Sequence, residues 1–304
     1  MKYSDLSTRM KEYEAVTKYK LLRRGYTIIR IDGKAFHTYT KGLERPFDWG
    51  LIDDMDETAA YLCKKIQGAV CAFVQSDEIS ILVTDFEKPE TSAWFDNSLQ
   101  KMCSISASMT TAKFNQLRML RKSQEERDHS LSSIAESAWD NDNLSSQMIS
   151  DFKLAMFDSR VFQLPTTMEV INYMVWRQQD TVKNSISSVA QSMFSHKELH
   201  GKNGSDKQEM MFQKDGTNWN DFEPKVKRGR MIIKEIYEKI PEVFRSRWIS
   251  IPPPTFTKDR EFLLNLIPNK EMTPTRFIPK DLSDEEKMKF ISELKKINEK
   301  IYSR

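Results

Sequence analysis

The sequence predicts an α+β fold built on an antiparallel sheet of the split βαβ, ferredoxin-like kind, packed with helices. Three observations carry that expectation. Residues 26–32 (YTIIRID) are a β-branched run ending on an acid. Residues 48–66 place Leu51, Met55, Ala59, Leu62 and Ile66 at helical spacing. Residues 69–84 hold two apolar runs parted only by Gln75-Ser76-Asp77-Glu78, which reads as a hairpin.

The remaining elements follow in order. Residues 1–20 read as an amphipathic helix with Met10, Tyr13 and Val16 on one stripe. Gly33 permits a tight turn after the first strand, and Gly68 ends the helix before the hairpin. Residues 93–115 are rich in small side chains and read as a second long helix. Residues 118–150 are polar, charged up to Arg127 and then rich in Ser, Asn and Asp; they read as a flexible insertion or a helical pair. A strand is expected at 157–165, one or two helices at 167–195, a short helix at 207–213, a loop at 217–223 and a strand at 228–237. After Trp248 comes Pro252-Pro253-Pro254. An amphipathic helix starts near Ser283, with a capping box to Glu286 and Phe290, Leu294, Ile297 and Ile301 on one face. The expected division is a main domain over 1–250, with the insertion near 118–150, and a C-terminal helical extension over 251–304.

Composition limits the class of protein. The 304 residues suffice for one large domain or two small ones, and 39% hydrophobic with 30% charged residues fits a soluble globular chain. No apolar run approaches the roughly 20 residues of a membrane span, and the charged N-terminus lacks a signal-peptide segment. Cys63, Cys71 and Cys103 fit no zinc spacing and no disulfide framework, which suits a cytoplasmic location. His196 and His200 stand four apart without a third ligand nearby. Net charge is only +3, yet basic residues gather at Arg23-Arg24, Arg118–Lys122 and Lys225–Arg230. Such clusters either grip phosphates or form a solvated face.

The chemistry points to two aspartates. In a split βαβ sheet the first strand and the hairpin are neighbours, so Asp32 at a strand end and Asp77 at the hairpin tip fall on one edge. Two ionised carboxylates about 4 Å apart repel by roughly 4 kcal/mol at an effective dielectric near 20. A cation between them removes that cost, and Mg²⁺ typically takes one or two carboxylates with phosphates and waters completing its shell. Asp and Ser are also ordinary turn formers, so the tip residues alone leave both readings open.

Six ordered stretches, RIDGKAFH (30–37), QSDEIS (75–80), FDSRVF (157–162), WRQQD (176–180), SDKQEMMF (205–212) and NWND (218–221), resemble the tRNA(His) guanylyltransferase family. They are most similar to its Thg-type like-protein branch of 3′–5′ polymerases that repair tRNA 5′ ends. The resemblance spans roughly residues 1–250. It implies a polymerase-palm-like catalytic domain, two Mg²⁺ per active site, ATP and GTP or other NTPs as substrates, tRNA as partner, and a homo-tetramer built as a dimer of dimers. It implies catalytic roles for Asp32, Asp77 and Glu78, with Asp32, the Gly33 backbone and Asp77 holding the metals and Glu78 supporting them. Arg30, Lys34, Ala35, Phe36, His37, Ser76, Lys207 and Asn218 would meet nucleotide. Asp158, Arg160, Lys183, Lys225, Lys227 and Arg228 would meet tRNA, and Glu209 also matches a family position.

One stretch departs from the pattern. Where the eukaryotic enzymes carry His-Ile-Asn-Asn, this chain has Val182-Lys183-Asn184-Ser185. That favours templated repair over strict addition of one G to tRNA(His). A palm-fold nucleotide cyclase and a non-catalytic tRNA-binding module are the competing readings, and residues 251–304 either pack on the core or form a tRNA-binding arm.

Overall fold

Alternating side chains let each central strand serve two cores, and that sets the architecture. In strand β1 (Tyr26–Gly33) Ile29 and Ile31 face one side of the sheet while Tyr26 and Ile28 face the other. The computed structural model describes residues 3–269 apart from 89, 134–151 and 241–242, and beyond 269 only Ser283, Glu285, Lys289 and Ser292. The second half of the polar insertion and nearly all of the expected C-terminal helix therefore lie outside the described residues.

Helix α1 (Tyr3–Ala15) precedes β1, and its Met10 and Tyr13, with Val16 just beyond, are exposed. A single turn, α2 (Phe36–Tyr39), and helix α3 (Trp49–Lys65) follow. Asp48 caps α3 by accepting from the Leu51 N–H at 2.7 Å, and Met55, Ala59, Leu62 and Cys63 form its buried stripe. Strands β2 (Ala69–Gln75) and β3 (Glu78–Val83) make the hairpin with only Ser76 and Asp77 between them. Helix α4 (Leu99–Ser133) begins six residues later than expected, because Phe95, Asp96 and Asn97 adopt left-handed backbone after Trp94. It then runs through 118–133, the first part of the stretch that read as a flexible insertion or a helical pair. The reason is a charge pair: Arg118 and Arg121 both bind Asp54 of α3, which is 1% exposed, and so fix this stretch against the core.

Strand β4 (Phe157–Leu164), helix α5 (Thr167–Met193), the turn α6 (His196–Leu199), helix α7 (Gly204–Asp215), the turn α8 (Pro224–Arg228), strands β5 (Arg230–Ile240) and β6 (Val243–Ile251), and helix α9 (Arg260–Leu266) complete the described chain. Residues 167–193 are one helix, α7 outruns the expected 207–213 at both ends, and β6 was not expected. The sheet order is β4-β1-β3-β2-β5-β6 with every pair antiparallel. Its first four positions are the split βαβ arrangement. Helices α3 and α4 cover one face, and α5 with α9 and Phe256 covers the other. Among the described residues, no helix is long and apolar enough to cross a membrane.

Candidate active site

Register puts the acids together. Asp32 lies opposite Glu78 on β3 and opposite Asp158 on β4, so three carboxylates cross the end of the sheet in one row. Asp77 sits beside them in the hairpin turn. The turn is tight: Ser76 takes φ 44°, a left-handed conformation that only Gly and, less often, Asn or Asp adopt freely. A Cβ built on Gly33 would stand 2.8 Å from Asp77 Oδ2 and 2.3 Å from the Phe36 ring. Phe36 cannot yield, because it is packed among Tyr39, Phe114 and Phe157. The glycine is thus required by the close approach of the Phe36 ring and, beside it, the Asp77 carboxylate.

Burial pushes the Asp77 carboxyl up to about 6, against the lowering effect of hydrogen bonds from its own backbone and Ser76; Asp32 and Glu78 add repulsion. Asp32 is more open, with Arg160 NH2 3.9 Å from its Oδ2. Glu78 differs in kind. It is 5% exposed and accepts from Arg177 Nε (2.8 Å) and NH2 (2.7 Å), Arg30 NH2 (2.7 Å), Gln75 Nε2 (3.2 Å) and Ser80 Oγ (3.2 Å). Its oxygens are occupied by these donors, so Glu78 stands behind the metal-facing acids as a support.

Asp32, Gly33 and Asp77 open into a cleft of about 750 Å³. Of the residues expected to meet nucleotide, Arg30, Ala35, Phe36, His37 and Ser76 line it. The Phe36 side chain itself is core, and Arg30 is spent largely on Glu78. Lys34 is not part of the lining; its N–H donates to the Met156 carbonyl. Lys207 reaches the rim through Ser187 Oγ at 3.0 Å. Asn218 lies apart, in a shallow depression with Phe212 and Trp219, capping the N–H of Asn220.

The residues expected to meet tRNA are dispersed. Asp158 and Arg160 stand exposed on the edge strand β4, and Lys183 is exposed on α5 outside the cleft lining. Lys225 lines the cleft, but Lys227 donates to the Asn220 carbonyl beside the Trp219 ring and Arg228 NH1 donates to Thr255 Oγ1. Arg230, the end of that basic run, is 3% exposed and paired with Asp56 at 2.7 Å. Arg23, itself half exposed, pairs with the buried Asp85 at 2.7 Å. Much of what read as phosphate-gripping charge is countercharge for buried aspartates. Sequence reasoning assigned no site role to the side of the cleft lined by Asp180, Thr181, Asn184, Ser188 and Gln191 of α5. Its signal was present: Asp180, Asn184, Ser188 and Gln191 recur three and four apart.

Comparison with known proteins adds four findings. The family model described as tRNAHis guanylyltransferase matches residues 7–165. A tRNA(His) guanylyltransferase of Eremothecium gossypii is 26% identical over 256 residues, covering 76% of this chain and 97% of the relative. The structure of a bacterial tRNA(His) guanylyltransferase-like protein in complex with ATP is 42% identical, with a TM-score of 0.71, covering 86% of this chain and 99% of that one. A second structure of that kind of protein, in complex with GTP, has a TM-score of 0.68 at the same identity and covers 86% of this chain and 98% of that one.

Proposed function

The chain belongs to the tRNA(His) guanylyltransferase family and is a nucleotidyltransferase; on that premise we propose that it adds nucleotides in the 3′–5′ direction to the 5′ end of tRNA and repairs truncated ends by templated addition. The observation that carries this reading is the convergence of Asp32 and Asp77 at the mouth of a large cleft. ATP and GTP, the molecules held by the bacterial relatives, are its substrates, alongside other NTPs.

The site suits Mg²⁺. Among the described residues no cluster of three or more His, Cys, Asp or Glu could hold a metal, which disfavours an all-protein cage. Two carboxylates with a glycine backbone beside them match the demand of an ion that keeps waters and substrate phosphates in its shell. The raised pKa of Asp77 is the cost a cation would remove. Asp32, Asp77 and the Gly33 backbone would hold two such ions, which supply charge neutralisation at the attacking and leaving oxygens.

The reaction then runs in balanced steps. An oxygen of the tRNA 5′-phosphate attacks the α-phosphorus of ATP and expels pyrophosphate. The 3′-hydroxyl of the incoming NTP attacks the activated 5′-phosphorus and expels AMP, leaving the NTP's triphosphate as the new end. Throughout, the chain positions the groups and balances charge. Lys225 and His37 lie along the cleft for phosphate, while the uncharged Asn184, Ser188 and Gln191 offer hydrogen bonds to sugar or base. Where strict enzymes have a histidine, Val182 packs against the small core under α7 and offers no donor, so selection falls to pairing with the opposing acceptor strand.

The test is a panel of 5′-truncated, 5′-phosphorylated tRNAs with different opposing acceptor bases, incubated with ATP and single NTPs. Each should gain the complementary nucleotide and stop at the template end. Extension of tRNA(His) alone, by G whatever the opposing base, would replace this reading with strict guanylyltransfer.

A further inference from the structure

Helix α5 grips the hairpin tip at three successive turns. Tyr173 OH meets Ser80 Oγ at 2.7 Å, Arg177 holds Glu78 through two parallel bonds, and Thr181 Oγ1 donates to Gln75 Oε1 at 2.5 Å. Apart from Tyr173, which is nearly as enclosed, the polar groups of this contact are 5% exposed or less. Arg177 is itself oriented: its guanidinium lies 4.5 Å from the Trp176 ring centroid, and its NH2 also binds Asp180 at 2.9 Å. A carboxylate offers about four lone-pair sites, and Glu78 receives five donors. It has no capacity left for a further ligand. Two of those bonds, both from Arg177, run from the hairpin to the helix, one residue from Asp77.

The turn needs such support. A non-glycine residue at φ 44° persists only where surrounding contacts over-determine it. Ser76 is that residue, and Asp77 follows it directly. We propose that Arg177 is a positioning residue: by clamping Glu78 to helix α5 it holds the strained hairpin tip and aims the Asp77 carboxylate at the metal site. The inference deepens the two-carboxylate reading above and rests on it. It also couples the acids to the side of the cleft lined by α5, because Asp180, Asn184 and Ser188 stand on the same helix. An Arg-to-Lys change keeps the charge and loses the planar fork, so it separates geometry from electrostatics.

The experiment uses the full chain and two variants, Arg177→Lys and Tyr173→Phe; the latter loses one hydroxyl outside the cleft lining and spares the charges. Hydrogen exchange on the metal-free protein is read at residues 76–80 against β5 and β6. Arg177→Lys should raise exchange at the tip by about tenfold and leave β5 and β6 unchanged. The Mg²⁺ concentration for half-maximal nucleotide addition should rise about tenfold, as for other residues that orient a ligand. At saturating Mg²⁺, kcat should return to within about threefold of the parent, with KM for NTP unchanged. Tyr173→Phe should move both readouts the same way by a smaller factor. Unchanged exchange at the tip, or a rise spread evenly over the sheet, would overturn the proposal. So would lost activity that Mg²⁺ does not restore, which would make Arg177 a substrate contact. Nucleotide addition by the parent without any divalent cation would instead overturn the metal reading itself, and is seen before either variant is made.

Discussion

Asp77 is held where an isolated carboxylate is costly to ionise. Its ordinary value of 3.8 is raised to about 6, chiefly by desolvation. The sign follows from proton counting. Between pH 4 and pH 6 the unfolded chain has released this proton and the folded chain has kept it, so the metal-free protein loses stability as pH rises through that window. A shift of about two units corresponds to at most about 3 kcal/mol. Asp77→Asn should flatten the urea-unfolding midpoint over that range and leave the metal-free variant more stable than the parent at pH 7, while abolishing nucleotide addition. A variant that unfolds with the parent's pH dependence would assign the dependence to other groups. Gly33 belongs to the same local account, since any side chain there collides with the carboxylate whose position matters.

At the scale of elements, charge placement decides which basic runs are free. The Lys225–Arg230 run spans turn α8 and the start of β5; of its basic residues that line the cleft, Arg230 is paired with Asp56 and Lys225 has no hydrogen-bond partner among the described residues. Lys227 and Arg228 brace the turn against Asn220 and Thr255. If phosphates are gripped here, Lys225→Ala should lower the log–log salt slope of tRNA binding by about one. Adding Lys227→Ala and Arg228→Ala should lower it by less than one further, not by two. A filter-binding titration across salt concentrations measures both, and a drop of about three for the triple variant would mean that all three contact RNA. Helix α4 follows the same logic: its Arg118–Arg121 turn is held by Asp54 rather than displayed.

For the whole molecule, the sheet joins segments far apart in sequence. Residues beyond β6 return to the face covered by α5: Phe256 is fully buried against Phe73, and its N–H donates to Gln178 Oε1 at 2.8 Å. Gln178 also donates to the Pro254 carbonyl at 2.8 Å. Phe256→Ala should cost about 3–5 kcal/mol, the range for emptying a core aromatic site. Urea unfolding followed by fluorescence and by far-UV circular dichroism should keep coincident transitions shifted to lower denaturant. Two separated transitions would mean that the region after residue 250 unfolds on its own.

Local pattern alone determined a good deal. Apolar, β-branched runs marked β1 and the hairpin, because these strands are buried on both faces, and helical spacing marked α3, because it buries one stripe. The order of those elements sufficed to put Asp32 and Asp77 on one edge, since the split βαβ arrangement makes β1 and β3 neighbours. What pattern did not reveal depended on partners distant in the chain. Strand β6 reads as mixed polar and charged because it lies at the edge of the sheet. The continuation of α4 depends on Asp54, more than 60 residues away. The contacts of Glu78 depend on Arg177, 99 positions on, and only the packing of α5 against the hairpin brings that partner to the carboxylate. Short-range periodicity is written residue by residue, whereas the pairing of a buried charge is a property of the assembled fold, where desolvation makes one specific partner necessary.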